Sequence, residues 1–195
     1  MKQLSLSIAI ICLWVGCKSS DVQRAQECWR LATSGMLVLD SVDTGQAVFN
    51  GVAFRTTLDE LMAAFGNTDS MGVGMQVPPF DEPVEEFVFP GNFGFYVAPD
   101  GRAVLSHATV GEHTRIRFAD VVLSSSTRLG ELREALPESY KCRSVFSTVP
   151  DEKDRDELEL VDSMSGGRIS LTFRQGALVF LSVALDNRTF PQISR

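Results

Sequence analysis

Histidine and cysteine are scarce in this chain, and basic residues are outnumbered: 195 residues contain 2 His, 4 Cys and 18 Lys and Arg against 25 Asp and Glu. The formal charge of −7 produces a field that repels phosphate backbones and anionic headgroups, which argues against nucleic acid as a partner. Four cysteines are too few for a disulfide scaffold in a chain of this size. No apolar run reaches the roughly 20 residues that span a bilayer. His107 and His113, with Glu112 beside the second, have no further ligand at zinc-finger or His-Glu-x-x-His spacing, so no metal site is expected. The Gly-x-Ser-x-Gly elbow, the Ser-x-x-Lys pair and the Walker-type Gly-Lys-Ser/Thr are absent, and Gly72-Val-Gly74 lacks the third glycine of a dinucleotide loop. No catalytic set and no cofactor are therefore expected. What remains is an ordinary globular composition, 44% hydrophobic and 22% charged.

The first 17 residues, MKQLSLSIAIICLWVGC, place one Lys ahead of an apolar run of signal-peptide length. The run ends Leu13-Trp14-Val15-Gly16-Cys17, which resembles the bacterial lipoprotein signal. That resemblance implies removal of residues 1–16, lipid on Cys17 and a membrane anchor made of acyl chains alone. Lys18 stands where Asp would resemble the inner-membrane retention signal, so the outer membrane, facing the periplasm, is the expected location. Residues 17–35 are read as a lipidated N-terminus and polar tether. Cys12 then leaves with the signal, and Cys28 and Cys142 remain in an oxidising compartment, either as a disulfide or as two separate buried thiols.

The remainder contains a self-similar pair of segments. Thr56-Thr-Leu-Asp-Glu-Leu-Met-Ala-Ala-Phe-Gly66 and Thr127-Arg-Leu-Gly-Glu-Leu-Arg-Glu-Ala-Leu-Pro137 align Leu58 with Leu129, Glu60 with Glu131, Leu61 with Leu132 and Ala64 with Ala135. In the first, Leu58, Leu61, Met62 and Phe65 share one helical face, and Thr57 with Glu60 has capping-box spacing; the second is read as lacking that box. Strand-turn-strand patterns follow each helix: Phe93–Val97 and Ala103–Val110 around Pro99-Asp100-Gly101, then Arg168–Arg174 and Ala177–Leu185 around Gln175-Gly176. Strand content also precedes each helix, with a turn or bulge at Asn50-Gly51. The expected fold is α+β, two similar β-β-α-β-β units over 36–111 and 112–195 made by internal duplication and packed together. Each unit sets a short helix on an antiparallel sheet. The helix motif resembles that of the small outer-membrane assembly lipoproteins (BamE/SmpA-like), which have one such unit, and of the β-lactamase inhibitor protein, which has a tandem pair.

Two segments at the same helix-to-hairpin point have the character of binding surface. Residues 70–90 combine Met75 and Phe80 with Asp81, Glu82 and Glu85, adaptable apolar side chains beside an acidic flank. Residues 150–159 carry six acidic and two basic side chains and read as a solvated, mobile loop. The expected function is a non-enzymatic envelope lipoprotein that binds another protein, of basic character, as an inhibitor or immunity factor. The alternative is an accessory or structural lipoprotein of outer-membrane assembly; a periplasmic hydrolase is a third reading.

Overall fold

In the computed structural model, the described residues are 23–24, 26–28, 30–31, 34, 39–72, 74, 82–143 and 155–184. Cys17, with the signal segment, lies outside them. The chain divides into two compact units, residues 1–38 and 39–195. In the first, the described residues between 23 and 31 are helical, so the expected tether has regular structure there. Gln23, Arg24, Gln26, Glu27 and Arg30 are helix-tolerant residues, and a polar helix shows no apolar period by which to recognise it.

Cys28 and Cys142 are both buried and both disulfide-bonded, and the alternative of two separate thiols is set aside. Peptide mapping without reductant is expected to recover the sequences around Cys28 and Cys142 as one cross-linked species that separates on reduction. With more than 100 residues between the cysteines, the link is worth a typical ~2–4 kcal/mol to folding. Two free thiols in the oxidised protein would contradict the bond.

The second unit is built from two sheets. The smaller has the order β10-β9-β2-β3, made of β2 (Val48–Phe49), β3 (Val52–Ala53), β9 (Ile116–Phe118) and β10 (Val121–Leu123). Asn50 and Gly51 turn β2 into β3 with φ of 48° and 89°, the pair of positive values that a two-residue type I′ hairpin requires. Among the described residues the larger sheet has nine strands. Its path runs β1 (Ser41–Val42), β11 (Arg155–Asp162), β12 (Arg168–Arg174), β13 (Ala177–Ala184), β8 (Arg102–Thr109), β7 (Phe93–Val97), β6 (Glu85–Phe89) and β5 (Ser70–Met71), with β4 (Arg55–Thr57) also pairing with β8. β1 runs parallel to β11 and the other pairs in this sheet are antiparallel.

In each half a further strand precedes the expected hairpin. The additional ones, β6 and β11, lie within the two stretches read as loops. In β11 the charged residues Arg155, Glu157 and Glu159 alternate with buried Leu158 and Leu160, so the charge run is one face of a half-buried strand. The acidic stretch is thus structured from Arg155 onward, and the mobile-loop expectation is corrected there. β6-β7-β8 and β11-β12-β13 are two meanders that join edge to edge where β8 pairs with β13.

Helix α1 (Leu58–Phe65) is capped by Thr57, whose hydroxyl accepts from the Glu60 amide while the Glu60 carboxylate accepts from the Thr57 amide. Leu61 is fully buried, Leu58 and Phe65 are partly buried against the core, and Met62 is an exposed margin rather than part of the seam. The second copy is broken into a 3-10 turn (Leu129–Glu131), α2 (Leu132–Ala135) and α3 (Pro137–Lys141). Pro137 does not simply end the helix; it opens α3 at a first-turn position where its missing N–H costs nothing. Half of the capping box survives there too, since Glu131 accepts from the Arg128 amide at 2.9 Å. The shared core is rich in phenylalanine: Phe49, Phe54, Phe89 and Phe95 are fully buried, and Phe93 nearly so.

Candidate functional site

β6 divides the expected binding segment between the two faces of the large sheet. A strand's period of two sends Glu85, Phe87 and Phe89 to one side and Glu86 and Val88 to the other. On the first side the series runs from the fully buried Phe89 to the exposed Glu85, which sits at the open end of the core. There, Leu58, Pro83, Phe87, Val97, Ala98, Pro99 and Gly101 join Glu85 in lining a groove of about 280 Å³. The pieces come from the start of α1, the lead into β6, the end of β7 and the β7–β8 turn. The turn is fixed by Gly101, at φ 83°, whose amide donates to the Ala98 carbonyl while its own carbonyl accepts from the Leu58 amide. Among the described residues Glu85 is the one charged lining residue, and Glu82, also exposed, precedes it. Of the five residues expected to bind, the structure therefore places Glu85 on a groove and Glu82 beside β6; Met75, Phe80 and Asp81 lie outside the described residues.

On the opposite face, Glu86 belongs to a polar cluster that the sequence does not advertise. The β7–β8 register shifts so that Gly94 opposes His107 and Phe95 opposes Leu105, leaving Ser106 as the extra residue of a bulge. A bulge turns two consecutive side chains toward one side, which brings both Ser106 and His107 to Glu86. The Ser106 hydroxyl donates to Glu86 Oε1 at 2.6 Å, and His107 Nδ1 lies 3.1 Å from the same oxygen and 3.0 Å from the hydroxyl. Gly94 makes room for them, because a Cβ there would stand 2.6 Å from His107 Cε1 and 2.9 Å from Ser106 Oγ. Burial first, and then the Glu86 charge, holds the neighbouring Tyr96 hydroxyl above its ordinary range, so it stays neutral.

These three residue types suggest nucleophile activation, but their order does not provide it. A relay needs the imidazole between carboxylate and hydroxyl, one on each ring nitrogen. Here Glu86 and Ser106 both meet Nδ1, and Ser106 is buried. The arrangement satisfies a buried hydroxyl and orients a histidine. His107 lies in β8 and His113 in the turn before β9, as their sequence surroundings suggest.

The His107 ring stacks on Phe180 of β13, with 6.0 Å between centroids and 25° between planes. Beyond Phe180 the same face continues into a pocket of about 460 Å³ lined by Thr109, Arg155, Thr172, Arg174, Val179 and Phe180. Against known proteins, no family model, no curated protein and no solved structure matches this chain.

Proposed function

We propose that this protein is a non-enzymatic protein-binding module of the bacterial cell envelope, anchored by lipid on Cys17, that acts on its partner as an inhibitor or immunity factor. The groove at the open end of the phenylalanine core supports this reading most directly: seven apolar or backbone-rich lining residues surround one carboxylate, Glu85. An apolar side chain of a partner fills such a groove, and a neighbouring Lys or Arg meets Glu85, with Glu82 adding to the attraction during encounter. The resemblance to the tandem-unit inhibitor fold is supported further by the two meanders. Each has three strands, and the third strand of each, β8 and β13, is bulged: Ser106 is the extra residue in one and Val179 in the other. Duplication of one ancestral unit accounts for that correspondence.

Affinity capture from envelope extracts of the source bacterium, with wild type beside the Glu82→Lys/Glu85→Lys double variant, tests the proposal. The expected result is a salt-sensitive partner that the variant captures at least about tenfold less well, since each reversed rim charge replaces attraction with repulsion. Exposed substitutions of this kind change stability by only about 0.5 kcal/mol, so the thermal midpoint should stay put. Equal capture by both proteins would remove the groove from the interface.

A further inference from the structure

We infer that the pocket beside Phe180 is a binding site for a small organic anion, a carboxylate or phosphate group carried on an apolar, flat body. Its charge runs against that of the chain: in a protein of net charge −7, the two charged lining residues among those described are both arginines. Arg155 and Arg174 are direct cross-strand partners in the β11–β12 register, so their Cβ atoms lie about 5 Å apart on one face, a juxtaposition that repels by itself and that a shared anion turns to attraction. Both arginines have other interactions in the protein. A guanidinium carries five N–H donors in a rigid fork, and a bidentate oxyanion engages two of them. Glu157, two residues along β11, opposes Thr172, which confines the anionic group to the arginine end.

The rest of the pocket suits the remainder of such a ligand. The register shift between Thr172 and Phe173 leaves Val179 as an extra residue, and the bulge turns both Val179 and Phe180 toward the cavity as an apolar wall. Thr109 and Thr172 complete the lining. At about 460 Å³ the space falls within the range of small-molecule sites and exceeds what a bare inorganic anion needs. The site is separate from the Glu85 groove and does not depend on that groove's having a partner.

Titration of the purified protein with benzoate, phenyl phosphate, inorganic phosphate and neutral benzamide, read from the arginine Nε–H and Phe180 ring resonances, tests this. Benzoate or phenyl phosphate should produce saturable shifts in the millimolar range or tighter at Arg155, Arg174 and Phe180, and the tighter of the two identifies the head group. Arg174→Ala should weaken that binding about tenfold or more, as loss of a charge-assisted contact does, while Arg102→Ala at an exposed position outside the pocket should not. Arg155→Gln serves as a second variant should Arg174→Ala fail to fold. Non-saturable shifts, binding that survives both pocket variants, or equal binding of benzamide would overturn the site. Equal affinity for inorganic and phenyl phosphate would overturn the organic-ligand assignment.

Discussion

Phe93→Ala is expected to destabilise the protein by roughly 3–5 kcal/mol, the range for removing a ring from a packed interior. Phe93 is 6% exposed, with ring centroids 4.9 Å from Phe49, 4.8 Å from Phe65 and 5.6 Å from Phe89. Those three neighbours belong to the small sheet, to α1 and to the large sheet respectively, so one ring holds three elements together. The cavity left by truncation cannot close without moving one of them, which favours the upper part of the range. For a protein of this size the loss corresponds to roughly 10 °C in thermal midpoint by calorimetry. Phe93→Leu, which keeps most of the volume, should lose markedly less. The Phe49→Ala/Phe93→Ala cycle should show a coupling of about 0.5–1.5 kcal/mol from their tilted contact. A Phe93→Ala loss under about 1 kcal/mol would mean that these rings do not pack as described.

Asp162→Ala should cost a similar ~3–5 kcal/mol, for an electrostatic reason rather than a packing one. Asp162 is fully buried at the end of β11 and accepts from the Thr44 amide at 3.2 Å, the Thr44 hydroxyl at 2.9 Å, the Met164 amide at 3.2 Å, the Ser165 hydroxyl and Arg55 Nη2 at 3.0 Å. Deleting the carboxylate leaves several donors without their acceptor and a part-buried guanidinium without its counter-charge. Burial alone would raise this carboxyl's pKa, but hydrogen bonds from Ser165, Thr44 and the Met164 amide outweigh burial and hold it below the ordinary 3.8. A carboxyl lowered in the folded state contributes its stability fully above the unfolded value and loses it as pH falls through the lowered folded value. Wild type should therefore lose an acid-sensitive share of stability below about pH 4 that Asp162→Ala no longer has to lose. Denaturation midpoints measured from neutral pH down to about pH 2 check this, and parallel curves for the two proteins would contradict it.

Much of the second unit was legible because its signals are local. The Asn50-Gly51 and Gln175-Gly176 turns, the Thr57 capping box and the strand at Arg168–Arg174 each depend on a few neighbouring residues and stand in the structure, although Thr172, read as solvated, is buried. β11 escaped because acidic residues on one face of a strand look like a solvated loop until the strand's neighbours show which face is buried, and β6 because its acidic pair, Glu85 and Glu86, falls on opposite faces and leaves no polar/apolar alternation to read. The β8 bulge was equally hidden: His107 and Ser106 are adjacent in the chain, and a regular strand would have sent them to opposite faces. Gly94, thirteen residues earlier, was the one clue, a glycine inside a strand pattern.

By itself, the sequence determined the chemistry available to this protein and its local grammar: an acidic chain with no recognised catalytic motif, two short helical segments of which one carries a capping box, tight hairpins, and two cysteines whose pairing it left open. Only the tertiary structure decided what those pieces make together. Strand register joined two meanders into one sheet, moved Glu85 and Glu86 to opposite faces, and set Arg155 against Arg174 beside Phe180. Helix and turn signals act over a handful of residues and can be read along the chain. Register and bulges are set by pairing and packing between whole strands, from the neighbouring pair that sets Gly94 against His107 to the distant one that sets His107 against Ser182, and the sites that depend on them exist only once that packing has formed.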